Sequence, residues 1–572
     1  MKLPVLAASM LLAFGAISAA NAQTRTPAPS PAQSPAQSGK PFVWENATVY
    51  FLLTDRFNNG NPANDKAYGR KDDAAKLRGF MGGDIAGVTA KVRDGYFSNL
   101  GVNAIWLTPL IENIHGSTDE GTGKSYGFHG YWARDFTALD AAFGSEDELR
   151  ALVDSAHAKG IRVIFDVVLN HTGPVTAQDP VWPKSWVRTG PKCTYKDAPT
   201  TIDCTLVENL PDILTGSDQN VELPPQLVAK WKREGRYERE VKELDDFFKR
   251  TGYPRAPRYY LIKWHSDWVR KFGIDGFRAD TVKHTEPGIW KELKKEASLA
   301  FEDWKRANPS KRLGDLPFFM TSEVYGYDIR HARKYRIGEE QGGGGMMVDY
   351  LAQGFDSMIN FGLRSDARQG YEKVFADYSN ILQGDMKGFS VLNYLSSHDD
   401  GSPFDPLRER PLESANKLLL APGAAQIYYG DETARILKVD GAEGDATLRS
   451  FMNWDDLKNN AQRGAHRVAD IHDHWARLGR FRAAHPAVGA GVHQMLQQSP
   501  YTFKRTWHKD GISDRVVVAL DLPLGKPVAI QVRGVFNDGQ TVRDWYTGKS
   551  AVVKDGKVQF ELAAPVALIA QD

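Results

Sequence analysis

The chain has 572 residues, with 72 Lys and Arg against 71 Asp and Glu and a formal net charge of +1. That length fits a large core with smaller modules rather than one simple domain, and the even charge leaves no electrostatic footprint for nucleic acid or an anionic membrane surface. Aromatic residues make up 11%, with 14 Trp and 21 Tyr, a stock that suits stacking on sugar faces as well as ordinary core packing.

Residues 1–22 read as an export signal. Lys2 gives a positive start, an apolar run continues to Ala19, and Ala20-Asn-Ala22 is a small-residue cleavage site. The run is short for a membrane span, and no later segment is apolar enough to make one. Residues 23–41 form a Pro-rich linker that cannot bury a core. A periplasmic or secreted protein with no membrane span is expected, and a monomer.

From residue 42 onward, strand-like apolar runs alternate with helical patterns. The runs fall at 48–54, 103–108, 162–168, 274–278, 319–322, 355–359, 390–395 and 425–429. Before the third, Leu149, Leu152, Val153 and Ala156 share one helical face, and Gly160 ends that helix. Eight alternations predict a (β/α)8 TIM barrel built from 42–171 and 259–484.

The gap after the third strand is about 100 residues, far longer than an ordinary connection. Residues 172–258 therefore read as a small domain inserted over the barrel mouth. They include a charged helical stretch, 226–249, expected to present a solvated face. They also hold Cys193 and Cys204. In an oxidising compartment a disulfide is expected rather than free thiols, worth roughly 3 kcal/mol in the chain-entropy account. Two cysteines without a histidine cluster do not make a zinc site. From 485 to 572 the pattern shifts to short strands at 501–503, 515–520, 529–532 and 558–562 between Gly- and Asp-containing turns, which predicts a C-terminal antiparallel β-sandwich.

Four barrel runs end in reactive groups: Asp166-Val-Val-Leu-Asn-His171, Gly276-Phe-Arg-Ala-Asp-Thr-Val-Lys-His284, Thr321-Ser-Glu-Val324 and Leu395-Ser-Ser-His-Asp399. Parallel barrels collect such groups where strands stop. Asp280, Glu323 and Asp399 could then meet in one pocket, and two carboxyl groups suffice for glycoside hydrolysis. Arg278 lies two residues before Asp280, on the same side of the strand. It is expected to lower the Asp280 pKa and keep a nucleophile ionised. Desolvation is expected to raise Glu323 and suit it as the acid and base.

With these segments in this order, the chain resembles the α-amylase family, glycoside hydrolase family 13, from about Trp44 to the C-terminus. Gly82-Gly-Asp-Ile85, Gly101-Val-Asn-Ala-Ile-Trp-Leu-Thr-Pro109 and Gly423-Ala-Ala-Gln-Ile-Tyr-Tyr-Gly-Asp-Glu432 look like further blocks of that family. The resemblance implies Asp280 as nucleophile, Glu323 as acid and base, and Asp399 as transition-state stabiliser. It implies Tyr131, His129, Trp132, His171, Arg278 and His398 around the cleaved glucose, with Lys283 on the leaving-group side. It also implies a structural Ca²⁺ held by Asn170, Asp212 and the His284 carbonyl, although Leu214 stands where a second Asp is common. Chloride is not expected, because Ser397-His-Asp-Asp-Gly-Ser402 lacks the Asn and Arg of the chloride-activated branch. The activity implied is that of an exported retaining hydrolase of starch or maltodextrin, close to the secreted and periplasmic bacterial α-amylases. A maltogenic enzyme or a glucanotransferase on the same site, and a non-catalytic glucan-binding relative, are the alternatives.

Overall fold

A computed structural model of the chain describes residues 40–119, 121–338, 345–561 and 564–571. The expected signal and most of the linker, residues 1–39, lie outside the described residues. Among the described residues no helix is long and apolar enough to cross a membrane.

Eight strands close into one parallel barrel: β1 Thr48–Leu52, β2 Ala104–Leu107, β3 Arg162–Val167, β4 Gly276–Ala279, β5 Phe319–Ser322, β6 Ser357–Asn360, β7 Ser390–Asn393 and β8 Ala424–Tyr428. Each pairs with its sequence neighbours, and β8 returns to β1. The eight expected runs are these strands, with ends shifted by at most two residues. The strands are buried on both faces, which is why they read as continuous apolar runs rather than alternating ones.

Helices pack around the barrel, among them α1 Ile85–Arg93 and α2 Glu146–Ala158. Helix α2 begins with a Ser145–Glu148 capping box and stops at Gly160, whose φ is +74°. The segment between β3 and β4 carries α3 Pro225–Arg233 and α4 Tyr237–Thr251, with α5 Pro257–Phe272 leading back into the barrel.

The charged stretch 226–249 is thus two helices, parted at Gly235 with φ +69°. Its charges are not all solvated. Lys230 Nζ lies 2.8 Å from Glu112 and 2.7 Å from Asp135, and Arg236 reaches Asp135 at 2.6 Å. Asp135 is fully buried, so these cations pin the segment to the antiparallel pair Ile111–Asn113 and Ala133–Leu139 between β2 and β3 rather than face water. Cys193 and Cys204 are bridged.

Beyond the barrel helices, six strands form one antiparallel sheet: β9 Val492–Gln497, β10 Thr502–Lys509, β11 Ile512–Leu520, β13 Thr541–Asp544, β14 Ser550–Val552 and β16 Val566–Ala570. A second, two-stranded sheet pairs β12 Pro527–Gln531 with β15 Lys557–Glu561. Val517, Ile530, Val542, Phe560 and Ile569 fill the space between them, as a β-sandwich requires.

Lys230 offers a test of the charge network. Lys230→Ala leaves two buried carboxylates short of a partner, a loss of about 3–5 kcal/mol by analogy with other broken buried pairs. A lower urea midpoint with unchanged m-value is the expected result, measured by tryptophan fluorescence.

Candidate active site

The parallel register sets up the site. Arg278 on β4 lies level with Asp166 on β3 and Thr321 on β5. Asp280 and Glu323 stand one residue past the ends of β4 and β5, each held by a last ladder bond, Asp280 N to Val167 O at 3.0 Å and Glu323 N to Ala279 O at 2.9 Å. Both carboxyls therefore emerge beside each other at the barrel's C-terminal mouth.

One guanidinium joins them. Arg278 Nη1 lies 2.7 Å from Asp280 and 2.8 Å from Asp166, and Nη2 lies 3.3 Å from Glu323. The Arg278 side chain is 1% exposed and lies over the rings of Trp106 and Tyr131. Asp166 also accepts from Tyr131 OH at 2.6 Å and from Trp106 Nε1 at 3.1 Å.

The charges follow from this crowding. Burial pushes Asp280 up to about 6, against the pull of Arg278 and with Asp166 and Asp399 adding to the rise. This corrects the expectation that Arg278 would leave Asp280 with a lowered pKa. A single cation shared by three acids cannot offset their joint desolvation. Glu323 rises further, to about 7, for the same reasons, although the Thr281 N–H donates to it at 2.9 Å.

Asp399 is the exception. It lies outside the Arg278 cluster and is 44% exposed. Enclosure in the cleft opposes ionisation, but His398, Arg449 and Arg278 outweigh it and hold Asp399 at about 2. Arg449 donates to Asp399 through Nη2 and to the His398 carbonyl through Nε at 3.1 Å, and the same Nη2 also meets Asp445 at 2.6 Å.

The expected substrate residues fall into two groups. Tyr131 stacks on His398 at 5.4 Å and on His129 at 5.7 Å, so these three line the same wall as Arg278. His171 Nε2 lies 3.2 Å from the Tyr131 carbonyl. Trp132 meets His129 edge-on and packs with Ile114 and Leu210, so it backs the wall. Burial lowers His171 to about 4 and His398 to about 3, and holds His129 well below the usual histidine value. These imidazoles are neutral near pH 7.

Lys283 stands on the other side of Glu323. Its ammonium donates to the Tyr325 carbonyl at 3.1 Å and lies 5.2 Å from the Tyr325 ring and 5.9 Å from the Tyr195 ring. Tyr325 is 57% exposed and Tyr195 43%. Sequence reasoning missed both rings, together with Asp166 and Arg449. Tyr325 lies two residues past Glu323 and was within reach of the motif. Arg449 sits in the loop Gly444–Arg449, remote from every motif, and nothing local marks it.

Two places offer oxygen atoms to a hard cation. Asn170 Oδ1 is buried without a partner, and Asn170 and Asp212 are neighbours through the His171–Asp212 bridge and an Ile213 N to Asn170 O bond of 2.8 Å. Burial drives the Asp212 carboxyl up to about 9, even with Arg188 Nε at 2.9 Å. His284 points its Nδ1 at Thr201 O, 3.0 Å away.

The second place was not anticipated. In the loop after β1, Asn59 Oδ1 and both polar atoms of the Asn64 side chain are buried without partners, and Asn59 Nδ2 reaches Asp65 at 3.0 Å. Gly82 closes over them at φ +87°, where a Cβ would meet Asp65 Oδ1 at 2.8 Å. Among the described residues no group of three or more His, Cys, Asp or Glu stands in ligating geometry, so either cradle depends on amide and backbone oxygens as well as carboxylates.

The profile of the family described as "Alpha amylase, catalytic domain" matches residues 51–474. The chain is 39% identical over 538 residues to the periplasmic α-amylase of Escherichia coli K12, an alignment covering 84% of this chain and 72% of that one. It is 28% identical over 472 residues to the cyclomaltodextrin glucanotransferase of Geobacillus stearothermophilus, covering 81% of this chain and 58% of the relative. In fold it is similar to the solved α-amylase of Geobacillus thermoleovorans complexed with acarbose, at a TM-score of 0.61 and 22% identity, covering 93% of this chain and all of the other.

Proposed function

The chain belongs to the α-amylase family, glycoside hydrolase family 13, and from that premise we propose that it hydrolyses α-1,4-glucosidic bonds of starch and maltodextrins with retention of configuration. The observation that carries the reading is the Arg278 guanidinium shared by two carboxyls of unequal pKa. Two groups bridged by one guanidinium suit the spacing of a retaining pair, about 5–5.5 Å, better than the roughly 6.5–9.5 Å an inverting pair needs to admit water.

In this mechanism Asp280, ionised, attacks the anomeric carbon. Glu323, still protonated, passes its proton to the glycosidic oxygen as the bond to the leaving sugar breaks. The glycosyl ester is then opened by water, whose proton returns to Glu323. Asp399, fixed as an anion, stabilises positive charge on the sugar ring and accepts from its hydroxyls. Arg449 positions Asp399. Tyr131, His129, His171 and His398 hold the cleaved glucose as neutral donors, acceptors and stacking faces, with Trp132 behind them. Lys283 faces the leaving-group sugars. Residues 172–258 act as an inserted domain that walls the cleft, and 485–572 as the C-terminal domain.

Transfer to a sugar acceptor is a second reading. It uses the same glycosyl ester and differs only in what opens it. The exposed Tyr195 and Tyr325 rings beside Lys283 favour it, because they offer an incoming sugar a face to stack on. A non-catalytic role would not call for three carboxyls held in these charge states.

We also infer structural Ca²⁺ at two places, one held by Asn59, Asn64 and Asp65 and the other by the Asn170–Asp212 pair. When bound it would neutralise buried oxygens and tie loops together. The N-terminal 22 residues support export, in line with the periplasmic name of the Escherichia coli relative.

Three results test these statements. Proton NMR of maltoheptaose digestion is expected to show the α-anomer first, with Asp280→Asn folded and slowed by at least about 10³-fold, as loss of a covalent nucleophile implies. First appearance of the β-anomer would exclude double displacement. In a pH series, kcat/KM is expected to fall as pH drops through about 6, where Asp280 gains a proton, and again as it rises through about 7, where Glu323 loses one. A plateau across about pH 5–8 would contradict that assignment. EDTA is expected to lower Tm and Ca²⁺ to restore it, with Asp65→Ala losing much of the Ca²⁺-dependent shift. Identical melting with and without the metal would remove it from the structure.

A further inference from the structure

The Cys193–Cys204 bridge lies close to the chemistry. It closes a loop whose neck is also pinned by backbone bonds, Cys193 N to Thr205 O at 2.9 Å and Thr205 N to Pro191 O at 2.8 Å. Residues on both arms of the loop, Tyr195 and Thr201, meet the segment that follows Asp280. His284 donates through Nδ1 to the Thr201 carbonyl at 3.0 Å, and the Tyr195 ring meets the His284 imidazole edge-on at 5.9 Å. Lys283, next in the chain, has its ammonium over the same Tyr195 ring.

Tyr195 is held in an uncommon shape. Its φ is +61°, a left-handed backbone that a bulky residue adopts only when its surroundings impose it. Within the loop, Thr194 N and Tyr195 N both donate to Thr200 O at 3.2 Å. From outside, Gly338, just past the strand Tyr335–Ile337, packs on the loop so tightly that a Cβ there would come within 2.7 Å of the Asp197 Cα. The loop thus spends its internal bonds on turning Tyr195 outward rather than on burying it.

We propose that this disulfide is a positioning device for the leaving-group side of the cleft. By clasping residues 193–204 it fixes the Thr201 carbonyl and the Tyr195 ring, and through them His284 and Lys283. Cys193 and Cys204 touch no substrate. Opening the bridge enlarges the set of shapes the loop can take, and Tyr195 with its positive φ relaxes first. Sugars beyond the scissile bond then lose an ordered wall, while the carboxyls on β4 and β5 stay where the barrel puts them. The proposal rests on the reading that Lys283 faces the leaving-group sugars.

The test compares a long with a short substrate. The double variant Cys193→Ser/Cys204→Ser avoids a stray thiol. It is assayed well below its own Tm with maltoheptaose and with p-nitrophenyl maltoside, whose leaving group is one aryl ring. Loss of about tenfold in kcat/KM is expected on maltoheptaose, carried mostly by KM, with the aryl maltoside within about twofold of wild type. Equal losses on both substrates, or none on either, would overturn the positioning role and leave the bridge a simple staple. If the double variant does not fold, Tyr195→Ala with the bridge intact decides the matter: a maltoheptaose loss carried by KM supports the proposal, and unchanged KM ends it. Wild-type turnover of maltoheptaose in the same assay separates the two levels. A wild type that leaves maltoheptaose intact overturns the hydrolase reading. A wild type that cleaves it beside an unaffected variant overturns the positioning role alone.

Discussion

Three acids around one buried guanidinium set the terms for everything else at the barrel mouth. Asp166, Asp280 and Glu323 each meet Arg278, which is itself shut away from water. Burying one carboxylate is costly, and burying three near one another is more so, because each raises the pKa of the next. A single positive charge offsets part of that. The balance leaves Asp280 and Glu323 near neutrality on the pH scale, at about 6 and about 7. One carboxyl can then be charged while its neighbour still holds a proton. On the proposed mechanism, that 1:3 ratio of cation to acids is what lets two chemically similar groups serve as nucleophile and acid.

The barrel makes that ratio possible. Adjacent parallel strands bring Asp166, Arg278 and Thr321 to one level, and the next residues of β4 and β5 carry Asp280 and Glu323 above it. No loop has to be ordered to bring these groups together. Asp399 comes instead from beyond β7 and needs a partner from another loop, Arg449, to hold its charge. Its exposure and low pKa go together: it can meet hydroxyls as a fixed anion because its ionisation does not depend on Arg278 alone.

Much of this was legible in the chain. The eight strands announced themselves because burial on both faces makes them continuous apolar runs, and the polar residues that follow four of them mark where the barrel opens. Gly160 and the face formed by Leu149, Leu152, Val153 and Ala156 gave one helix with its stop. The charge state of Asp280 was misjudged, since sequence shows Arg278 as a neighbour but not how many acids share it. The stretch 226–249 read as solvated because Glu112 and Asp135, which bury Lys230 and Arg236, lie about a hundred residues earlier. Arg449, Tyr195, Asn59 and Asn64 sit in loops with no period to betray them. Their roles arise from what the fold places opposite, and single residues in irregular segments carry no trace of that. The C-terminal sandwich fell between: four of its eight strands showed as apolar runs, while short edge strands such as β14 did not.

A division of labour follows from where the residues originate. The groups proposed to make and break the bond stand at the ends of barrel strands, and their geometry is set by a closed sheet whose register has little freedom. The groups proposed to face sugars beyond the scissile bond, Tyr195 and Tyr325 with Lys283 between them, stand on a clasped loop, a strand-end turn and a short helical turn. Substitution there leaves the carboxyls and Arg278 undisturbed. On the proposed mechanism, water and a sugar hydroxyl compete to open the glycosyl ester, and only the sugar gains from an ordered wall. Hydrolysis and transfer would then differ by how firmly the loop side holds an acceptor, and the bridge that clasps this loop would act on that competition without touching the bond being broken.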